Sequence, residues 1–303
     1  MVAKIRRHSA TFWRDTIAGY LFIGPVVLGL IIFTIGPMIA SFYISFTEYP
    51  LLRSPKFVGI DNYIQMFTKD ELFWRSLKVT VTFAVMQLPL GMTGSLLVAV
   101  LLNQKVRGIP FFRTCFYMPA IVPAIASAVL WGWLLNPDWG LVNAILKALH
   151  LPTSRFLAEP ETALPSLVLM SLWGIGGGMV IYLAGLQAIP ESFYEAAKID
   201  GANNWQLFWK ITLPLLTSTI FFNLIMGLIG TFQYFAPAFI LTNGGPMFAT
   251  YFYNLMLYER AFRWLKMGYA SAMAWFLLII VLVLTLLVFR SSSMWVYYET
   301  EVK

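Results

Sequence analysis

The run Met267-GYASAMAWFLLIIVLVLTLLV-Phe289 contains no Asp, Glu, Lys, Arg or Pro. About 20 residues of helix cross the hydrocarbon core of a bilayer. Lipid offers no partner to a backbone N–H or C=O, so such a run must satisfy them internally as a helix, and a charge near its middle would be costly. Working outward, the same criterion isolates five more charge-free windows, at 16–47, 79–104, 114–137, 162–190 and 211–258. The last of these is long enough for two crossings. Asn243-Gly244-Gly245-Pro246 breaks it, however, and too few residues remain before Glu259 for a second one. The reading is an all-α integral membrane protein with six transmembrane helices, at about 17–46, 79–103, 114–136, 163–187, 214–241 and 267–289. They form a single transmembrane domain over 1–303, with a loop at 188–213 between the fourth and fifth helices.

Composition agrees. Hydrophobic residues make up 59% and charged residues 12%, against about 45–50% and about 25% in soluble domains. The net charge of +7 comes from Lys and Arg dispersed between apolar runs rather than gathered in a patch, which excludes a nucleic-acid surface. Cys115 has no second cysteine to pair with, and His8 and His150 make no metal-ligand spacing, so disulfide and metal chemistry are unsupported. The run after Lys4, Arg6, Arg7 and Arg14 is too long for a cleaved signal and lacks a small-residue cleavage site, so it reads as a retained first helix.

Those four basic residues, with Lys105, Arg107 and Arg113 between the second and third helices, favour a cytoplasmic N-terminus. An even helix count places the C-terminus on the same side. Pro25, Pro37, Pro89, Pro119, Pro123 and Pro237 fall inside the windows, each deleting a backbone donor and tending to kink its helix. Gly91 with Ser95, and the cluster Gly174, Gly176, Gly177 and Gly178, read as faces for close helix packing. The uncharged windows argue against a proton-coupled carrier, and they contain no paired Asp, Ser-Lys pair or His motif for an intramembrane enzyme. No G-x-x-x-x-G-K-[ST] loop is present, so ATP energy must come from a partner.

Loop 188–213 contains Ile189-PESFYEAAKID-Gly201. Pro190 suits a first helical turn, Glu191 complements the positive helix end, and Gly201 suits a left-handed C-terminal cap. Phe193, Tyr194 and Ile199 are apolar anchors, while Ala196 and Ala197 leave a shallow face. The spacing Glu195-Ala196-Ala197, three residues, Gly201, nine residues, then Ile211-x-Leu213-Pro214 resembles the EAA motif of binding-protein-dependent ABC permeases. That resemblance implies the ABC type I importer permease fold. It also implies a coupling helix that docks into a cleft on an ATP-hydrolysing subunit, with these seven residues as the coupling site.

Phe111-Phe112-Arg113-Thr114, the Trp131 to Asn143 segment, and Leu241-Thr242-Asn243-Gly244-Gly245-Pro246 with Ala261-Phe262 look like carbohydrate permeases of the maltose-type F subunit. The compact length resembles the glycerol-phosphate, lactose and trehalose permeases of that group. Carried over by position, the resemblance places the solute path at Met170, Trp173, Gly174 and Gly177, and at Gly227, Gly230, Thr231, Tyr234 and Ala236. It further implies a second, G-type permease, a dimer of ATP-binding subunits, an extracytoplasmic solute-binding protein, and a bacterial or archaeal cytoplasmic membrane. No catalytic residue and no cofactor are expected on this chain, since ATP and magnesium belong to the partner ATPase.

Overall fold

The computed structural model describes residues 10–297. Lys4, Arg6, Arg7 and His8 lie outside them. The six windows become four long helices, Phe12–Ser45, Glu71–Leu102, Thr217–Leu241 and Met267–Trp295, and two bent pairs, Ile109–Ile121 with Ala124–Leu134 and Pro160–Leu172 with Gly176–Ala188.

The bends correct the third and fourth windows, which composition cannot distinguish from straight spans. The third turns by 98°. Val122, preceding Pro123, leaves the helical region at φ −66°, ψ 128°, as a proline disfavours helix in the residue before it. The fourth bends by 46° across Trp173 to Ile175. By contrast, Pro89 sits inside the unbroken helix Glu71–Leu102. Near Pro37 the first span accommodates a proline through a π-turn, Ile31–Ile35, in which the Gly36 N–H donates to the Ile31 carbonyl. The fifth span contains a short break between Phe232 and Ala236.

The described residues divide into two units, one running up to Gln65 together with Arg260–Trp275, the other Met66–Glu259 together with the described residues from Phe276 on. In the first, the pairs Thr47–Glu48 and Lys56–Phe57 form a small antiparallel ladder that the all-α reading did not include. Asn62 fixes it, its side-chain N–H groups donating to the carbonyls of Ser45 (2.8 Å) and Thr47 (2.9 Å). Gly268 meets the same strand so closely that a Cβ there would lie 1.8 Å from the Thr47 carbonyl oxygen.

The second unit is built on the helix Glu71–Leu102, which packs along Gly176–Ala188 and Thr217–Phe232. Ala99, Leu102, Met179, Tyr182, Leu183, Leu186 and Leu216 form its apolar cluster near the ends of these helices. Small residues permit the approach. A Cβ at Gly178 would lie 2.8 Å from Ser95 Oγ, and one at Gly185 would lie 2.5 Å from Thr219 Oγ1.

Candidate functional site

Loop 188–213 folds as a nine-residue helix, Glu191–Ile199, with Pro190 as its N-cap rather than in its first turn. A proline there still fits, because its missing N–H is one the helix start leaves unpaired in any case. The end of the helix is a Schellman turn. Gly201 adopts φ +83°, its N–H donates to the Lys198 carbonyl (3.0 Å), and the Ala202 N–H reaches back to the Ala197 carbonyl (2.9 Å). Asn203 and Gln206 then form a reciprocal capping box that starts the following helix, which widens into a π-turn over Phe208–Thr212 before Leu213 and Pro214.

Glu195 and Ala196 are exposed and Ala197 is half-buried. Ile199 is 87% exposed and Trp205 71% exposed, so apolar side chains flank this small-residue face. The helix is tethered from beneath by the Tyr194 hydroxyl, 3.1 Å from Thr212 Oγ1, and at its start by Lys105 Nζ, 3.0 Å from the Glu191 carboxylate. Of the other motif residues, Ile211 and Leu213 are half-buried and Pro214 is exposed.

The second candidate region lies at the two bends. A cavity of about 410 Å³ is lined by Ala120 and Val122 of the third span, by Met170, Trp173, Gly174 and Gly177 of the fourth, and by Tyr234. Trp173 stands edge-on to Trp131, with ring centroids 6.1 Å apart. Tyr234 packs between Phe83 (4.4 Å) and Phe252 (4.9 Å). Its hydroxyl is buried with no hydrogen-bond partner among the described residues, as is the Trp131 indole N–H. Five of the nine path positions therefore meet in one space. Gly227 and Gly174 line an adjoining cavity of about 260 Å³.

Gly230, Thr231 and Ala236 line neither cavity. Thr231 is buried, with its hydroxyl donating to the Leu228 carbonyl (3.0 Å). Sequence reasoning missed Gln87 on the second helix, which lines the smaller cavity. One amide inside a charge-free window carries no signal by itself.

The family model of the binding-protein-dependent transport system inner membrane component matches residues 91–294. The chain belongs to this family. The permease is 45% identical, over 99% of its length and 98% of the relative's, to a probable ABC transporter permease protein, YesP, of Bacillus subtilis. It is 35% identical, over 90% of its length and 92% of the relative's, to the trehalose/maltose transport system permease protein MalF of Thermococcus litoralis. Among solved structures it is similar to a chain of a bacterial alginate ABC transporter in complex with alginate pentasaccharide-bound periplasmic protein, with TM-score 0.82, 25% identity, and coverage of 93% of this chain and 96% of that one. The permease is thus a multi-pass membrane subunit of a binding-protein-dependent ABC transporter, with the importer permease fold expected from its motif. The motif residues Glu195 to Pro214 and both cavity-lining bends fall within the matched region.

Proposed function

We propose that the chain is one permease half of an ATP-driven importer for a sugar or sugar-like solute: an oligosaccharide, a polyol or a glycerol phosphate. The observation that carries this is the cavity lined by Trp173 and Tyr234, in a permease whose relatives are named for trehalose, maltose and alginate. Aromatic faces stack on the C–H surfaces of sugars, and a buried hydroxyl without a partner among the described residues is available to a solute hydroxyl. Residues 1–303 act as one transmembrane domain, with a second, G-type permease completing the path.

Hydrolysis of ATP with magnesium belongs to a separate dimer of ATP-binding subunits, and this chain holds no cofactor. Helix Glu191–Ile199 docks on that dimer through the face of Glu195, Ala196 and Ala197. An extracytoplasmic binding protein delivers the solute. Both termini lie on the cytoplasmic side of a bacterial or archaeal cytoplasmic membrane.

The test is uptake by vesicles containing both permeases, the ATPase and the binding protein. Solute accumulation is expected only with ATP and the binding protein present, and uptake by a complex without the ATPase would overturn the reading. Within that assay Tyr234→Ala removes the ring packed against Phe83 and Phe252 together with its hydroxyl. A solute ring stacked on Tyr234 would lose a contact of about 0.5–1.5 kcal/mol, so uptake is expected to fall several-fold in the complex that assembles. Wild-type kinetics would place Tyr234 outside the path.

Orientation has its own measurement. With Cys115, which is exposed, first replaced by Ser, cysteines introduced at Asn204 and Ser291 should react only with reagent supplied to the cytoplasmic side. One at the exposed Thr153 should react only from outside. The opposite pattern inverts the topology.

A further inference from the structure

The smaller cavity, about 260 Å³, is lined by Gln87, Gly91, Ser171, Gly174, Asn223 and Gly227 among others. It shares Ser171 and Gly174 with the larger one, so the two adjoin at the bend of the fourth span. Its lining extends along the helices toward their Leu102, Ala188 and Thr217 ends, the ends next to loop 188–213. We propose that Gln87, with Asn223, forms a second solute station there, taking hydroxyl groups of an uncharged saccharide as it leaves the larger cavity. The proposal rests on reading that larger cavity as the solute path.

Three observations carry it. Gln87 Oε1 is buried and accepts no hydrogen bond among the described residues. A buried amide oxygen left unmade is costly, so a position that keeps one is arranged for a donor that arrives. Gly91, one turn further along, makes room for it: a Cβ there would lie 3.0 Å from Gln87 Nε2, so the amide lies over a bare stretch of helix.

Asn223 offers the same chemistry. Its Nδ2 is engaged by the Thr219 carbonyl (3.0 Å), which leaves Oδ1 toward Gly178, where a Cβ would stand 3.5 Å from it. The hydroxyls nearby already donate to backbone: Ser95 Oγ to the Ile175 carbonyl (2.9 Å) and Ser171 Oγ to the Val168 carbonyl (2.6 Å).

The lining therefore presents amide acceptors, which suit donors on the ligand. A sugar hydroxyl donates to such an oxygen, as do the hydroxyls of glycerol 3-phosphate, so discrimination rests on charge. No Lys, Arg, His, Asp or Glu lines either cavity, so a charged solute would be desolvated here without a counter-charge from this chain. The volume, just under the about 300–1,000 Å³ of pockets for drug-sized ligands, fits one sugar ring rather than a chain.

The complete transporter, with both permeases, the ATPase and the binding protein, is assayed in lipid vesicles for ATP-driven entry of lactose, maltose, trehalose and glycerol 3-phosphate, read by mass spectrometry of the lumen. The neutral sugars are expected to enter in preference to glycerol 3-phosphate. Gln87→Met, similar in length and without an amide, should slow their entry about fivefold, the worth of one hydrogen bond, with half-saturation by the binding protein unchanged. Wild-type rates in Gln87→Met alongside impaired Tyr234→Ala would overturn the station and leave the path reading standing. Wild-type rates in both variants would remove the path reading as well. Entry of glycerol 3-phosphate alone would overturn the uncharged class. Should Gln87→Met fail to assemble, Gln87→Cys in a Cys115→Ser background answers the question by maleimide labelling, expected to slow several-fold when maltose, lactose or trehalose is being transported. Labelling that no transported sugar slows would overturn the station.

Discussion

Gly201→Val is expected to leave all six apolar segments inserted and to abolish ATP-coupled uptake. The effect is one of backbone conformation rather than space, since nothing lies within 4 Å of the position a Cβ would occupy, yet φ is +83°. A β-branched residue at such a φ is an outlier, and leaving the left-handed region breaks both hydrogen bonds of the Schellman turn. A change of about 1–2 kcal/mol shifts a two-state population by about 5–30-fold, and the helix has few other tethers to hold its direction.

Gly201→Asp tolerates the backbone better but sets a negative charge against the negative end of the helix, so a smaller loss in the same direction is expected. Glu195→Lys alters the face proposed for docking without straining the backbone. It should reduce the amount of ATPase that co-purifies while leaving permease pairing intact. Co-purified ATPase and vesicle uptake decide all three, and normal values throughout would remove the coupling role from this helix.

The second large effect is expected at Gly176, where a Cβ would fall 2.1 Å from the Phe116 carbonyl oxygen and 2.9 Å from Tyr117 Cα. These are backbone atoms of the third span and cannot turn aside. Gly176→Leu should therefore force apart the two bent spans that share the larger cavity. Overpacking a tight site costs about 1–3 kcal/mol, occasionally more, so a marked fall in assembled complex and in its unfolding temperature is expected.

The neighbouring glycines give the contrast. A Cβ at Gly174 would meet only the Ser171 carbonyl oxygen, at 3.5 Å, and one at Gly177 only Ala120 Cβ, at 3.9 Å. Alanine at either should assemble normally, and at Gly177 it should alter uptake by narrowing the cavity. Equal stability losses at all three positions would contradict the contact geometry.

Much of the architecture is legible in the sequence, because lipid imposes a simple condition: a charge-free stretch of sufficient length. That condition locates the four long apolar helices and the two bent pairs. It says nothing about direction within a span, since a proline's effect depends on what surrounds it. Pro89 is absorbed within a continuous helix, while Pro123 follows an extended Val122 and turns the chain by 98°.

The short helix of loop 188–213 is legible from local chemistry, because Gly201 and its two hydrogen bonds depend on neighbouring residues alone. The cavities are not. They arise where three distant helices meet, so Met170 and Tyr234 converge while Thr231, three residues from Tyr234, turns into the packing. Gln87 escaped notice for the same reason: that it lines one cavity with Asn223 is not visible from its place along the second helix.

In the first span, the most apolar stretch has no residue buried within the chain, and Phe22 there is 85% exposed. This orders the events of biogenesis. A segment whose most apolar window buries no residue in the chain is not sheltered from water by the rest of the fold, so delivery into the bilayer is expected before tertiary assembly. During purification, a detergent belt must stand in for that bilayer from the moment of extraction.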